Sequence, residues 1–151
     1  MIPHGLYVVT SGKAAGDGPV HGFTATWLTQ ASFKPPLVMM GVRKDSQSYA
    51  SVTGNGAFVV NFIPKSDRAM AERFFQAPPA SGSRFGDQPF RPAPATGAPV
   101  LEAALGFVEC KVVHVFDHGD HSVVVGEVIE AQILQAGEPL LLSDTPWKYG
   151  G

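Results

Sequence analysis

Turn-forming residues divide this chain into short segments. Among its 151 residues are 17 glycines and 13 prolines, about a fifth of the total. Because glycine and proline interrupt helices and favour turns, this content favours short strands over long helices. The pattern also lacks the alternation of strands with helices that builds a doubly wound nucleotide fold. We therefore expect a mainly β protein, an antiparallel barrel with short helical insertions, in one domain over residues 1–151.

Local patterns predict where the strands and turns lie. The proline-rich stretch 76–99 has little periodicity and is expected to form a long irregular loop. Residues 117–121 are polar and join two long apolar segments, which predicts the turn of a hairpin. Segments rich in β-branched and aromatic residues predict six strands. These are expected at 5–10, 20–29, 37–42, 57–63, 105–116 and 122–134.

Two short helices are also expected. The first covers 45–53 and is closed by Gly54, and the second covers 66–75, where apolar residues share one helical face. Serine and aspartate satisfy the free N–H groups at helix starts, so each helix has a polar candidate cap. The candidates are Asp45 or Ser46 for the first helix and Ser66 for the second.

The charge content excludes several classes of partner. Charged residues make up only 16% of the chain, and the formal net charge is -2. Without a basic stripe, nucleic acid is not an expected partner. No apolar run approaches membrane-spanning length, and the first residues lack the features of a signal peptide, so we expect no membrane partner and a cytoplasmic location. So few charges leave part of the surface to be covered by a second copy, which predicts a homodimer.

Reactive and metal-binding patterns are sparse. The single cysteine, Cys110, excludes an intrachain disulfide and lies among apolar strand residues, so we expect it to be buried and unreactive. His118 and His121 are three residues apart beside aspartates, but they lie in a predicted turn and no further ligand cluster is present, so no metal site is expected. The dinucleotide fingerprint, the P-loop and the Gly-x-Ser-x-Gly elbow are all absent.

The strand over 20–29 offers a row of polar side chains. Alternation places Phe23, Ala25 and Trp27 on one face and a polar set on the other. The apolar face would pack into the core, while the polar face and its N–H groups could grip the edge of a flat heterocycle. The same pattern fits an ordinary solvent-facing strand, so both interpretations stay open. The polar set is Thr24, Thr26, Gln30 and Ser32.

The segment 43–48 combines cations, hydroxyls and a helix start. Unpaired N–H groups and the positive end of the helix dipole favour an anion there. A solvated, well-capped helix start explains the same residues, and this alternative also stays open. Together with the row of threonines, the segment indicates a two-part site in which one strand holds a ring and this turn holds a phosphate. Trp147 and Tyr149 are either ordinary packing residues or an aromatic lid over a ligand.

An ordered set of segments resembles the flavin reductase-like family, the FMN-binding split barrels. The resemblance rests on 22–27 (GFTATW), 32–38 (SFKPPLV), 42–48 (VRKDSQS), 58–62 (FVVNF), the helix 70–74 (MAERF) and the hairpin from Asp120-His121 to Gly126-Glu127-Val128. It implies a six-stranded antiparallel Greek-key split barrel, a homodimer, and FMN, with FAD as the alternative, bound near the subunit interface. The proline-rich 76–99 stretch and the segment 144–149 depart from the family pattern.

The resemblance also implies roles for individual residues. His121 matches a histidine near the nicotinamide, which would make it the catalytic candidate. Residues beside the isoalloxazine ring would be Thr24, Ala25, Thr26, Trp27, Thr29, Gln30 and Ser32. Residues at the ribityl chain and phosphate would be Arg43, Lys44, Ser46 and Ser48.

The function implied is hydride transfer from NAD(P)H to flavin. Such an NAD(P)H:flavin reductase could supply reduced flavin to a partner monooxygenase. The protein's part would be to orient the rings and to stabilise the negative charge near N1 and O2, with N–H groups of the segment 24–29 as candidate donors. A flavin-binding electron carrier or sensor without NAD(P)H turnover is the alternative. A dimeric barrel that has lost flavin or binds another heterocycle is a third interpretation.

Overall fold

The computed structural model describes residues 2–16 and 18–149; Met1, Asp17, Gly150 and Gly151 lie outside the described residues. Within them, the helices are α1 (Gln47–Asn55) and α2 (Arg68–Arg73), and a 3-10 turn covers Leu142–Asp144. The fold is mainly β, as expected. The strands are β1 (Tyr7–Ser11), β2 (His21–Ala25), β3 (Leu28–Phe33), β4 (Pro36–Arg43), β5 (Ala57–Phe62), β6 (Ala80–Ser81), β7 (Arg84–Phe85), β8 (Gln88–Pro92), β9 (Pro99–Leu101), β10 (Gly106–Asp117) and β11 (His121–Ile133).

Seven strands form one antiparallel sheet in the order β2-β1-β5-β10-β11-β4-β3. The expected single strand over 20–29 is wrong: it divides into β2 and β3, so the sheet has seven strands and not six. These two strands are neighbours in the chain but lie at opposite edges of the sheet. Only Thr26 and Trp27 connect them, so the sheet must curl until its edges meet at this seam.

The inner face of the curled sheet encloses an apolar core. Along β4, side chains alternate in and out, with Val38, Met40 and Val42 buried. They pack with Val9, Val60, Phe58, Cys110 and Val124 from the neighbouring strands.

The expected hairpin is confirmed, since β10 and β11 pair from Asp117–Ser122 back to Gly106–Ile133. No helix among the described residues is both long and apolar enough to cross a membrane.

The 76–99 stretch is not an irregular loop. It contains β6, β7, β8 and the start of β9, which form a second antiparallel sheet of four short strands. Two prolines lie in β8 and a third begins β9, and because proline is unusual within strands, these short strands were hidden from the sequence pattern. Phe85 and Phe90 of this sheet pack with Phe74, which follows α2. The second sheet thereby joins the core on the side of the molecule where β2 lies.

Two fully buried polar side chains fix the second sheet to the first. Glu109 on β10 accepts hydrogen bonds from the Ala95 N–H and from the N–H and hydroxyl of Thr96. All three reach its Oε2 atom, at distances of 2.7 to 3.1 Å. Asn61 on β5 donates to the Val8 carbonyl at 3.0 Å and accepts from the Leu101 N–H at 2.8 Å. Because each buried group has partners, neither carries the penalty of an unsatisfied polar atom.

The helix ends differ in detail from the expected caps. Ser46 is the N-cap of α1, where its hydroxyl accepts the Tyr49 N–H at 3.1 Å, while the other candidate, Asp45, pairs with Arg43 instead. The helix continues past Gly54 and ends at Gly56, which has the left-handed backbone (φ 65°) that glycine adopts readily. Asp67, and not Ser66, caps α2 by accepting the Met70 N–H at 3.1 Å.

Candidate functional site

A cavity of about 490 Å³ opens at the seam between β2 and β3. Its lining is mainly apolar and aromatic, with a few hydroxyls and cations, as is usual for sites that bind small heterocyclic molecules. The seam contributes Phe23, Thr24, Ala25, Thr26 and Trp27; the end of β4 and the start of α1 contribute Gly41, Val42, Arg43, Ser46 and Ser48; the remaining walls are Leu6, Phe74, Phe75, Leu142, Trp147, Lys148 and Tyr149.

Thr26 has a buried hydroxyl without a partner. The residue is only 7% exposed, and no described group hydrogen-bonds to its Oγ1. Thr24 contrasts with it, because its hydroxyl donates to the Ala71 carbonyl at 2.6 Å and its N–H to the Phe74 carbonyl at 3.1 Å. A buried hydroxyl left unsatisfied costs about 1–3 kcal/mol, so a ligand that pairs with Thr26 recovers this energy.

Trp27 lies flat against a glycine of the neighbouring strand. Its carbonyl accepts the Gly41 N–H at 2.8 Å. A Cβ at position 41 would lie 3.0 Å from Trp27 Cε3 and 3.3 Å from Trp27 Cβ, closer than side chains normally pack. The absence of a side chain at Gly41 therefore lets the indole lie on β4 and form a wall of the cavity.

The polar end of the cavity lies at the start of α1. Arg43 donates to both carboxylate oxygens of Asp45, at 2.7 and 2.9 Å, and this guanidinium lowers the pKa of the Asp45 carboxyl. The Ser46 hydroxyl donates to the Arg43 carbonyl at 2.6 Å, and the Ser48 hydroxyl lies 2.9 Å from His21 Nε2. Hydroxyls, a guanidinium and the free N–H groups of a helix start are together suited to an anion.

The C-terminal segment covers the opposite walls of the cavity. Trp147 packs edge-on against Phe75, with ring centroids 4.6 Å apart. The Tyr149 hydroxyl lies 2.9 Å from His121 Nε2, and the Tyr149 ring lies 5.3 Å from that of Trp27. Of the two interpretations of this aromatic pair, the structure favours the one that places it over a cavity. No sequence pattern indicated that His121 would hydrogen-bond to Tyr149.

The structure brings together seven of the twelve residues that the sequence proposed for the site. Thr24, Ala25, Thr26, Trp27, Arg43, Ser46 and Ser48 line the cavity. His121 lies beside it, in contact with Trp27 at a ring distance of 4.6 Å. The side chains outside the cavity lining are Thr29, Gln30 and Ser32, which follow the seam on β3, and Lys44.

Lys44 faces the hairpin and not the cavity. Its charge helps to lower the pKa of the Asp117 carboxyl, after the hydrogen bonds that Ser122 and Tyr49 donate to it. Among the cavity walls that sequence reasoning missed are Gly41, Phe74 and Phe75. Only their spacing in β4 and just after α2 could have pointed to them, because their proximity to the seam depends on how the sheet curls.

The described residues offer this site neither a reactive thiol nor a cluster of metal-binding side chains. Burial raises the pKa of the Cys110 thiol to about 12, which leaves it protonated at neutral pH. Among residues 2–16 and 18–149, no group of three histidine, cysteine, aspartate or glutamate side chains could hold a metal ion.

Comparison with known proteins assigns this chain to a family. The sequence profile of the flavin reductase like domain matches residues 1–149. The NADH flavin reductase of Kitasatospora aureofaciens is 33% identical over 129 residues, 85% of this chain, and the matched region is 65% of that protein. HsaB, the reductase subunit of a flavin-dependent monooxygenase of Mycobacterium tuberculosis, is 32% identical over 89% of this chain and 68% of its own length.

A solved structure agrees with this match. The NADH:FAD oxidoreductase SgcE6 of Streptomyces globisporus, in complex with NAD and FAD fragments, superposes with a TM-score of 0.83 at 29% identity, covering 99% of this chain and 87% of that one. This chain belongs to the flavin reductase like domain family.

Proposed function

We propose that this protein is an NAD(P)H:flavin reductase that binds FMN in the cavity at the seam and exposes it to a nicotinamide nucleotide. The single observation that carries the proposal is the unpaired Thr26 hydroxyl, buried in the wall of a largely apolar cavity. A flat ring with polar edges fits such a wall, because it offers both apolar faces and a hydrogen-bond partner. Relatives named as NADH-dependent flavin reductases support the activity.

The seam would hold the ring system. Within the segment 24–29, the N–H groups of Thr24 and Leu28 already donate to the carbonyls of Phe74 and Thr26, at 3.1 Å each. Hydrogen bonds to a bound ring therefore fall to the Thr26 hydroxyl and to other N–H groups of the segment. Such fixed donors stabilise negative charge that develops on a ring without reorganising. When bound, flavin supplies the two-electron acceptor for a hydride, chemistry that side chains lack.

The start of α1 would hold the phosphate of FMN. Arg43, Ser46 and Ser48 line this end of the cavity, and the N-terminal end of α1 adds a partial positive charge. A charge-assisted hydrogen bond contributes about 1.5–3 kcal/mol, which corresponds to roughly tenfold or more in affinity. This end of the cavity therefore favours FMN over riboflavin, which has no phosphate.

Substitution of adjacent cations tests the phosphate site. Arg43→Ala should weaken FMN binding by about tenfold and riboflavin binding by much less. Lys44→Ala is the matched control, because it removes the same charge from the next residue, whose side chain does not line the cavity. Titration followed by flavin fluorescence measures both affinities. Equal losses for FMN and riboflavin in the Arg43 variant would contradict the assignment.

The activity itself is tested by an absorption spectrum of the purified protein with FMN under anaerobic conditions. Addition of NADH or NADPH should bleach the flavin bands, and the faster donor identifies the preferred nucleotide. Bands that persist with both donors would instead support a flavin-binding electron carrier or sensor. Reoxidation by a supplied flavin-dependent monooxygenase would test the transfer of reduced flavin to a partner, which the resemblance to HsaB supports.

A homodimer is the proposed assembly. Adjacent strands β4, β11 and β10 carry exposed apolar side chains, among them Met39, Ile129 and Phe116. Exposed apolar side chains on neighbouring strands are typical of a surface covered by a partner. Gly41 and Arg43 lie on the same strand as Met39 and line the cavity, so a second copy on this face would border the site. Sedimentation velocity measures the assembly directly.

A further inference from the structure

We infer that His121 acts through Tyr149: the imidazole holds the phenol of the C-terminal segment beside Trp27, and Tyr149 is the side chain that contacts the ligand. The inference rests on the proposed function, since that ligand is taken to be FMN. It follows from which side chains reach the cavity. Tyr149 and Trp27 line it, whereas His121 lies behind them.

Hydrogen bonds on both ring nitrogens define the state of His121. Nδ1 lies 2.8 Å from an Asp120 carboxylate oxygen, and Nε2 lies 2.9 Å from the Tyr149 hydroxyl. The bond to His121 lowers the pKa of the Asp120 carboxyl, so Asp120 is an ionised acceptor at neutral pH. A neutral imidazole then carries its proton on Nδ1. Its Nε2 is left as the acceptor for the Tyr149 O–H.

One partner in this contact is held within the sheet, whereas the other is exposed. His121 is the first residue of β11, is paired with Arg43 of β4, and has a side chain only 17% exposed. Its ring packs on Trp27, which is fixed against Gly41. Tyr149, by contrast, is 48% exposed. The hydrogen bond to His121 therefore fixes the position of Tyr149.

Among the other charged groups near His121, Arg43 interacts electrostatically with Tyr149 and Asp120 but forms its side-chain hydrogen bonds with Asp45. Arg43 faces His121 across the sheet, and Asp45 is the acidic group beside it. These two side chains pair with each other through two hydrogen bonds. Asp120, His121 and Tyr149 thus form a hydrogen-bonded chain of their own that ends at the cavity wall.

A double-mutant cycle on FMN affinity tests the inference. His121→Ala and Tyr149→Phe should each raise the dissociation constant of FMN by about threefold to tenfold, the loss of one hydrogen bond. The double variant should have a dissociation constant for FMN no higher than that of the single variant that binds FMN less tightly, because both changes break the same contact. His121→Gln should restore part of the affinity, since its amide can also hydrogen-bond the phenol. Losses that add, or a His121 effect without a Tyr149 effect, would overturn the inference.

Tyr49→Phe is the matched control for the loss of a phenol. The Tyr49 hydroxyl donates to the Asp117 carboxylate at 3.2 Å, away from the cavity. This variant should bind FMN as the unaltered protein does. If it weakens FMN as much as Tyr149→Phe, then the Tyr149 effect is not specific and the inference is overturned.

A measurement without ligand separates this inference from the proposed function. The ¹⁵N chemical shifts of His121 report which ring nitrogen carries the proton. The unaltered protein should show the Nδ1–H form, and Tyr149→Phe should shift the balance towards Nε2–H. An unchanged His121 spectrum would overturn the contact. A third outcome is the expected tautomer change in a protein that does not bind FMN. That result would contradict the proposed function and overturn the assignment of Tyr149 to an FMN site. The contact between His121 and Tyr149 would still stand.

Discussion

Replacing Thr26 by valine should have opposite effects on the stability of the free protein and on its affinity for flavin. Valine has nearly the shape of threonine but lacks the hydroxyl, which is buried and unpaired here. Removing an unsatisfied buried hydroxyl recovers part of a penalty of about 1–3 kcal/mol. We expect a gain of about 1 kcal/mol without ligand, or roughly 2–4 °C in Tm for a domain of this size. The loss of one hydrogen bond should weaken FMN by about twofold to tenfold.

Thr24→Val, two residues earlier in β2, provides the contrast. Its hydroxyl donates to the Ala71 carbonyl at 2.6 Å, so its removal leaves a carbonyl without that partner and should destabilise the protein by about 1 kcal/mol. Thermal unfolding followed by circular dichroism, with and without FMN, measures both variants. Destabilisation of the free protein by Thr26→Val, or unchanged FMN affinity in that variant, would refute the reasoning.

Three further predictions concern the core and the surface. Cys110, whose pKa burial raises to about 12, should resist iodoacetamide near pH 8 in the native protein and react only after unfolding, as judged by mass spectrometry. Glu109→Gln should lower the free energy of unfolding in urea by about 1–3 kcal/mol, because an amide nitrogen would meet N–H donors of the 95–96 turn. Met39→Asp should convert the proposed dimer to a monomer in sedimentation velocity without unfolding it, because Met39 is exposed in the single chain.

The sequence was sufficient to predict the positions of the strands that carry long apolar patterns. The two strands of the hairpin, β10 and β11, were predicted to within one residue at each end, because their pattern is continuous and the turn between them is polar. The break at Thr26 and Trp27 escaped prediction. Both residues suit a strand locally, and only the closing of the sheet makes the chain turn there.

The candidate site was predictable where it follows the local chain and not where it depends on the curl of the sheet. The seam and the start of α1 are two continuous segments, and seven of the site residues predicted in them line one cavity. Gln30 and Ser32 were included because strand alternation was extended through the seam, and Thr29 was included only because of the family resemblance. Phe74, Gly41 and Tyr149 are distant in sequence from the seam, so no local pattern connects them to it.

The two-residue connection between the outer strands makes ligand binding a property of barrel closure. Strand edges are the parts of a sheet that open most easily, and here both edges end at Thr26 and Trp27. A ligand bound at this point connects β2, the first strand in the order of the sheet, to β3, the last. At one hundred times its dissociation constant, it would raise the free energy of opening there by about 2.7 kcal/mol. Slower amide exchange would then extend along β2 and β3, on opposite sides of the sheet, from a single binding event.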